Sequence, residues 1–315
     1  MHSVMMFSLL FLCVSAQAAI FGADDRSDVN QSSPFASEGQ ATAVAVLNTF
    51  IGPSDTKLGA LKLSSGSMTE LVCTDEKFSQ DPSIYYACSG FLVAPDLMVT
   101  AGHCMTNGEE TKNEPGMYCG VYGWLFDYQT STAGKFAADE IPPENYYKCK
   151  QIVYAIREDV PPYRDYALVQ LERPVTGRTP FRLAEKPVAA GDSVSMIGFP
   201  FGSPMKVSAF KHVTINDSAR QSFLTTLAAF EGNSGSVVFN NQREAVGILV
   251  AGTPSNNLVQ DAGKNCQRYN KCDESGKICT QSDSDADTKN FPGYQGVGSE
   301  VQRITPLAEI LKNSR

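Results

Sequence analysis

The chain has 315 residues, 42% of them hydrophobic and 19% charged. That is enough apolar material for one large or two modest packed domains, and it excludes a disordered chain. The net charge of −8, with no Lys/Arg run or basic stripe, excludes nucleic acid as the natural partner.

Residues 1–18 read as a secretory signal. Residues 5–14 are mostly apolar, and Ala16-Gln17-Ala18 has the small-x-small form of a signal-peptidase site, so the exported chain is expected to start at Ala19 or shortly after. The apolar run is too short to span a bilayer and no later run is long enough, so no membrane span is expected. Export implies a secreted or periplasmic location. Of nine cysteines, Cys13 leaves with the signal. Cys73, Cys88, Cys104, Cys119, Cys149, Cys266, Cys272 and Cys279 remain, an even number that suggests up to four disulfides. Paired C-x-x-C spacing is absent, so neither a zinc site nor any other cofactor is expected.

Residues 19–40 are polar and turn-rich and read as an extended N-terminal arm or a propeptide. Short runs rich in Val, Ile, Tyr and Phe follow at 41–47, 58–63, 88–93, 97–100, 117–124, 151–156 and 166–171, separated by Gly, Pro, Asp and Asn. A linker with two prolines covers about 172–185. A second set of runs lies at 193–199, 205–215, 222–227, 236–239, 245–250 and 294–301. Residues 253–290 interrupt this set as a polar, cysteine-rich stretch that reads as a disulfide-pinned surface loop. Its Asp283, Asp285 and Asp287 alternate as calcium ligands can, but the Gly and late Glu of an EF-hand loop are missing, which favours a solvated acidic loop. Val301, Ile304, Leu307, Ile310 and Leu311 form an apolar stripe at helical spacing, expected to pack on the domain. Many short strands, little helix and a central linker indicate an all-β chain of two barrels, over 41–175 and 176–315.

Three strings carry chemistry: Ala101-Gly102-His103-Cys104, Asp165-Tyr166-Ala167-Leu168 and Gly232-Asn233-Ser234-Gly235-Ser236. A serine hydroxyl needs a neighbouring base to attack a carbonyl. An imidazole, with an ordinary pKa of about 6.5, suits that task. A carboxylate must hold the imidazole's tautomer, and fixed N–H groups must face the oxyanion that forms. The glycines flanking Ser234 allow a tight turn that exposes its hydroxyl and points the Gly232 and Ser234 amides into one concavity. On its own such a string is more often a plain surface turn. Its apolar continuation, Val237-Val238-Phe239, reads as a buried strand that holds the turn rigid. His103 ends a strand-like run, and a bridge between Cys104 and Cys88, sixteen residues earlier, closes that hairpin, worth about 3 kcal/mol. Asp165 opens a buried strand, where a carboxylate is costly without a partner. His103 is one candidate partner and Arg164 at the surface the other. His212, in a strand-like run with no comparable setting, reads as structural.

These strings resemble the motifs of the chymotrypsin-fold serine peptidases: small-residue-then-His-Cys, Asp-x-Ala-Leu and Gly-Asp/Asn-Ser-Gly-Gly/Ser. The likeness, in order and context, covers roughly residues 41–311. It implies two six-stranded antiparallel barrels with the active site between them, to which the apolar stripe at 301–311 adds a C-terminal helix. It also implies Ser234 as nucleophile, His103 as base, Asp165 as orienter and the Gly232 and Ser234 amides as oxyanion hole. Within the family the chain is most similar to the bacterial secreted glutamyl-endopeptidase (V8-like) group. That likeness rests on Gly-Asn-Ser-Gly-Ser before Val-Val-Phe-Asn, on residues 195–200 and on Ile20-Phe21-Gly22-Ala23-Asp24-Asp25-Arg26.

Two positions depart from the relatives. Asn233 stands where animal zymogens carry the Asp that pairs with a new N-terminal amine, so that charge-pair activation is not expected. Leu249 stands where glutamyl endopeptidases carry a His for the substrate carboxylate. Trypsin-like enzymes hold a basic side chain with an Asp six residues before the Ser, where this chain has Ala228, followed by Ala229. A pocket bordered by Ala228, Ala229 and Leu249 lacks a fixed charge and is expected to prefer small or apolar residues before the cleaved bond. The expected activity is that of a monomeric endopeptidase on proteins or peptides. The alternative is a catalytically silent homologue used for binding or adhesion, against which the intact His, Asp and Ser argue. An α/β-hydrolase esterase is disfavoured because its triad runs Ser, Asp, His and its Ser sits in Gly-x-Ser-x-Gly. Cys119–Cys149 is a second candidate bridge.

Overall fold

Runs of β-branched and aromatic residues become strands because their side chains pack on a pleated, buried surface. Here twelve strands, numbered in chain order, close into two six-stranded antiparallel barrels, as expected. The structure is a computed structural model that describes residues 19–313 except 109, 132–133, 159, 217–220, 255 and 283–296. The signal-like residues 1–18 and the alternating Asp283, Asp285 and Asp287 lie outside the described residues.

The first barrel is built from β1 (Thr42–Leu47), β2 (Cys88–Ala94), β3 (Leu97–Thr100), β4 (Tyr122–Phe126), β5 (Tyr146–Arg157) and β6 (Asp165–Leu171). Their spatial order is β5-β4-β1-β2-β3-β6, and β5 pairs with β6 to close the ring. The second barrel is built from β7 (Ser193–Gly198), β8 (Lys206–Ile215), β9 (Ser222–Thr225), β10 (Val237–Asn240), β11 (Ala245–Thr253) and β12 (Gly298–Arg303). It runs β7-β10-β11-β12-β9-β8, closed by β7 against β8. The first barrel buries Phe91, Trp124, Phe126 and Leu168, and the second buries Val194, Val238, Leu249 and Val301. Each such side chain contributes roughly 1.5–3 kcal/mol by leaving water.

The helix Thr305–Asn313 ends the described chain. Ile304, Leu307 and Leu311 are buried in the cluster that also holds the first-barrel core, as the apolar stripe predicts. Among the described residues no helix is long and apolar enough to cross a membrane.

Two expected strands differ. Residues 117–124 divide into a short helix, Gly116–Val121, and the start of β4. Met117 and Val121 are exposed, so the apolar character of this run does not mark a buried face. Cys119, buried on the helix's inner side, is bridged to Cys149. In the run 58–63 only Leu61–Leu63 is strand, paired with Ile51–Pro53 outside the barrel, while Leu58 is fully exposed.

Residues 19–40 are docked, not splayed. Ala19, Ile20 and Phe21 are buried, Ile20–Phe21 pairs in parallel with Lys271–Cys272, and Ser27–Asp28 adds to the edge of β8. The cysteine-rich stretch after β11 forms a hairpin of Leu258–Gln260 and Gln267–Tyr269. The eight cysteines stand at bonding distance in four pairs: Cys73–Cys266, Cys88–Cys104, Cys119–Cys149 and Cys272–Cys279. Cys73–Cys266 ties the loop before β2 to the hairpin that follows β11, across 193 residues of sequence.

Candidate active site

β3 runs directly into a single 3-10 turn, Gly102–Cys104, which carries His103 out of the first barrel. The bridge from Cys104 to Cys88, the first residue of β2, ties that turn to the neighbouring strand. Asp165 begins β6, opposite Arg157 of β5. Its carboxylate meets His103 twice: Oδ1 accepts the His103 backbone N–H at 2.9 Å, and Oδ2 lies 2.7 Å from Nδ1. A carboxylate held by both atoms fixes the imidazole's position and its tautomer together. Arg164, the other candidate partner, pairs instead with Glu158 at the side of the barrel.

Ser234 comes from the second barrel, on the loop before β10. Its Oγ lies 2.8 Å from His103 Nε2, although 131 residues separate the two in sequence. Ser234 is only 3% exposed, so the hydroxyl sits in a largely dry seam. His212 lies on β8 opposite Ser193 and is not one of this group.

The turn around Ser234 depends on its two glycines. Gly232 has φ +88° and Gly235 φ +87°, in the left-handed region where a Cβ is strained. Space is also lacking: a Cβ on Gly235 meets Ser89 O at 2.0 Å, and one on Gly232 meets Phe199 O at 2.5 Å. Three N–H groups hold the turn, two within it and one to β11. Asn233 donates to Phe230 O at 3.0 Å, Gly235 to Leu249 O at 2.8 Å and Ser236 to Asn233 O at 2.8 Å. Among the described residues the N–H groups of Gly232 and Ser234 have no such acceptor.

Several groups that support this arrangement carry no local sequence signal. The fully buried Ser89 on β2 donates its N–H to Ser234 O at 2.7 Å and its hydroxyl to Gly232 O at 2.8 Å. Thr100 Oγ1 in turn donates to Ser89 O. Gln302 on β12, also fully buried, accepts the Asp165 N–H at 3.1 Å through Oε1 and donates to Gln221 O through Nε2. The residues expected to border the specificity pocket carry no charge. Ala228 packs with Ile20, Met68, Val72, Phe201, Phe230 and Tyr269. Ala229 and Leu249 lie in the apolar cluster of the second barrel. The Leu249 carbonyl binds the Gly235 amide, which sets that strand against the turn.

Two antiparallel barrels that bring a histidine, an aspartate and a serine together across their seam have the architecture of a serine endopeptidase. A family model described as "Trypsin-like peptidase domain" matches residues 88–248, just over half of the chain, and the chain belongs to that family. Among solved structures 863 chains match. One, a Glu endopeptidase determined in complex with MPD, is 13% identical with a TM-score of 0.51, over 94% of this chain and 98% of that one. Identity at that level speaks for the shared fold. Comparison with curated proteins gives no match.

Proposed function

We propose that this peptidase is an exported endopeptidase that cleaves by an acyl-enzyme route, with Ser234 as nucleophile, His103 as general base and acid, and Asp165 as orienter. The observation that carries the reading is the unbroken line of contacts from Asp165 through His103 to Ser234. His103 Nε2 takes the hydroxyl proton as Ser234 Oγ attacks the peptide carbonyl. Asp165 stabilises the imidazolium that results. The amides of Gly232 and Ser234 receive the developing oxyanion, at no cost of reorganisation because the turn is already fixed. His103 then protonates the leaving amine, and a water activated by the same imidazole frees the acyl group. Export is supported by the four bridged cysteine pairs, which persist in oxidising compartments.

For the residue before the cleaved bond we favour small or apolar side chains. Ala228, Ala229 and Leu249 offer neither a cation for Glu nor a carboxylate for Arg, and an uncompensated charge in such surroundings is costly. A peptide library varied at that position tests this directly. Cleavage after Ala, Val, Leu or Phe is expected to exceed cleavage after Glu or Arg by tenfold or more, a difference of about 1.4 kcal/mol. Rapid cleavage after Glu or Arg alone refutes the specificity.

A further inference from the structure

Among the described residues, the largest buried cation lies in the N-terminal segment. Arg26 is only 2% exposed. Its Nε and one terminal nitrogen bind the two carboxylate oxygens of Asp24, each at 2.8 Å. Three rings surround the guanidinium: Tyr269 at 4.2 Å, Phe230 at 4.6 Å and Phe78 at 5.4 Å from its centre. They come from three distant parts of the sequence. Phe78 lies on the loop that carries Cys73, Tyr269 on the cysteine-rich hairpin, and Phe230 four residues before Ser234. The loops are also joined directly, since Tyr269 donates its hydroxyl to Lys77 O at 2.9 Å and Lys77 Nζ donates to the Arg26 carbonyl.

Phe230 connects this cage to the nucleophile. It is fully buried, and its carbonyl accepts the Asn233 N–H that closes the turn holding Gly232. Its ring packs 5.2 Å from that of Phe201, whose N–H donates to the Glu231 carbonyl at 2.5 Å. Both attachments bracket the Gly232 peptide. An arginine fits here where a lysine does not: its planar face stacks on the rings while its edge binds a carboxylate in two places.

We infer that Arg26 is a positioning residue for the peptidase reaction: its guanidinium fixes Phe230 and, through Phe230, the turn that presents the Gly232 and Ser234 amides. The inference rests on the reading of Ser234 as nucleophile. It also makes residues 19–28 a working part of the enzyme and not a segment to be discarded. Misplacing oxyanion donors by a fraction of an ångström weakens transition-state binding more than substrate binding, so the loss falls on kcat.

The test compares Arg26→Met/Asp24→Asn, which removes the ion pair without leaving a lone carboxylate, with Arg178→Met. Arg178, on the segment that follows β6, is the control. It binds both oxygens of Asp127 at 2.8 Å, lies over Phe126 of β4, and has Gln40 and Asn145 as its other hydrogen-bond partners. Both are assayed well below their unfolding temperatures on a good peptide substrate. The double variant is expected to lose roughly ten- to hundredfold in kcat, with KM within about threefold and fluorophosphonate labelling of Ser234 slowed in parallel. Arg178→Met is expected to lose unfolding temperature but keep its kcat. Arg26→Lys, which retains the charge but not the planar face, is expected to fold with a kcat several-fold below wild type, and it decides the matter if the double variant does not fold. Wild-type kcat in Arg26→Lys or in the folded double variant overturns the inference, as does an equal kcat loss in Arg178→Met. Absence of labelling in the wild-type protein overturns the reading of Ser234, and the inference with it.

Discussion

Asp165 has its carboxylate engaged by His103 and its N–H engaged by Gln302. On the proposed reading, Gln302 is therefore a second support for His103, acting through Asp165. Replacing it with Ala leaves the half-buried Asp165 N–H without its acceptor, while the Gln221 carbonyl keeps the Arg303 N–H at 2.7 Å, a loss of about 1–3 kcal/mol in such settings. Gln302→Ala is expected to lower stability by about that order in denaturant melts and to reduce kcat several-fold with little change in KM. Wild-type kcat in a measurably destabilised variant would show that Gln302 serves the fold alone. The three strings themselves were legible from sequence because each packs its chemistry into a few adjacent residues. Gln302 and Ser89 were not, because nothing beside them in the chain marks their partners. Their roles arise from β12 standing beside β11 and from β2 abutting the nucleophile turn.

At the scale of elements, the barrel strands followed the apolar runs closely, since burial and β-propensity point the same way in 88–94, 97–100, 165–171 and 245–253. The run 117–124 misled because Met117 and Val121 are apolar yet exposed, and a bridged helix was not distinguishable from a strand by composition. The N-terminal arm, read from its polarity as an extended arm or a propeptide, has its charges paired internally: Asp24 with Arg26, Asp25 with Lys211 and Asp28 with Lys206. Burial alone would raise the Asp24 carboxyl, but the Arg26 guanidinium, with Lys77 nearby, outweighs it and holds the pKa below its ordinary 3.8. A depressed carboxylate stabilises the fold fully above the unfolded value and loses that contribution as pH falls through the folded one. Wild type is therefore expected to exceed Asp24→Asn in unfolding temperature by a constant margin from about pH 5 to about pH 8. That margin is expected to shrink below pH 3.8. A margin that widens on acidification would contradict the assignment.

Over the whole molecule, the two sets of strand runs and the linker between them implied two barrels, and the family resemblance of the three strings implied an active site between them. The way the peripheral segments close over the second barrel was not implied. Eight cysteines allow about a hundred complete pairings, and spacing singled out the local Cys88–Cys104 but not Cys73–Cys266. That long bridge joins with the Arg26 cage and the pairing of Ile20–Phe21 with Lys271–Cys272 to bind the N-terminal arm, the loop before β2 and the cysteine-rich hairpin into one body. The body packs on Ala228 and Phe230, just ahead of Ser234. It forms part of the wall against which the turn of Ser234 is set. The most direct measurement for the account is the mass of the protein after treatment with a fluorophosphonate, with the adduct mapped to a peptide. One adduct is predicted, on Ser234, absent from Ser234→Ala and formed far more slowly in His103→Ala. No adduct on the folded protein, or an adduct on another serine, would contradict it.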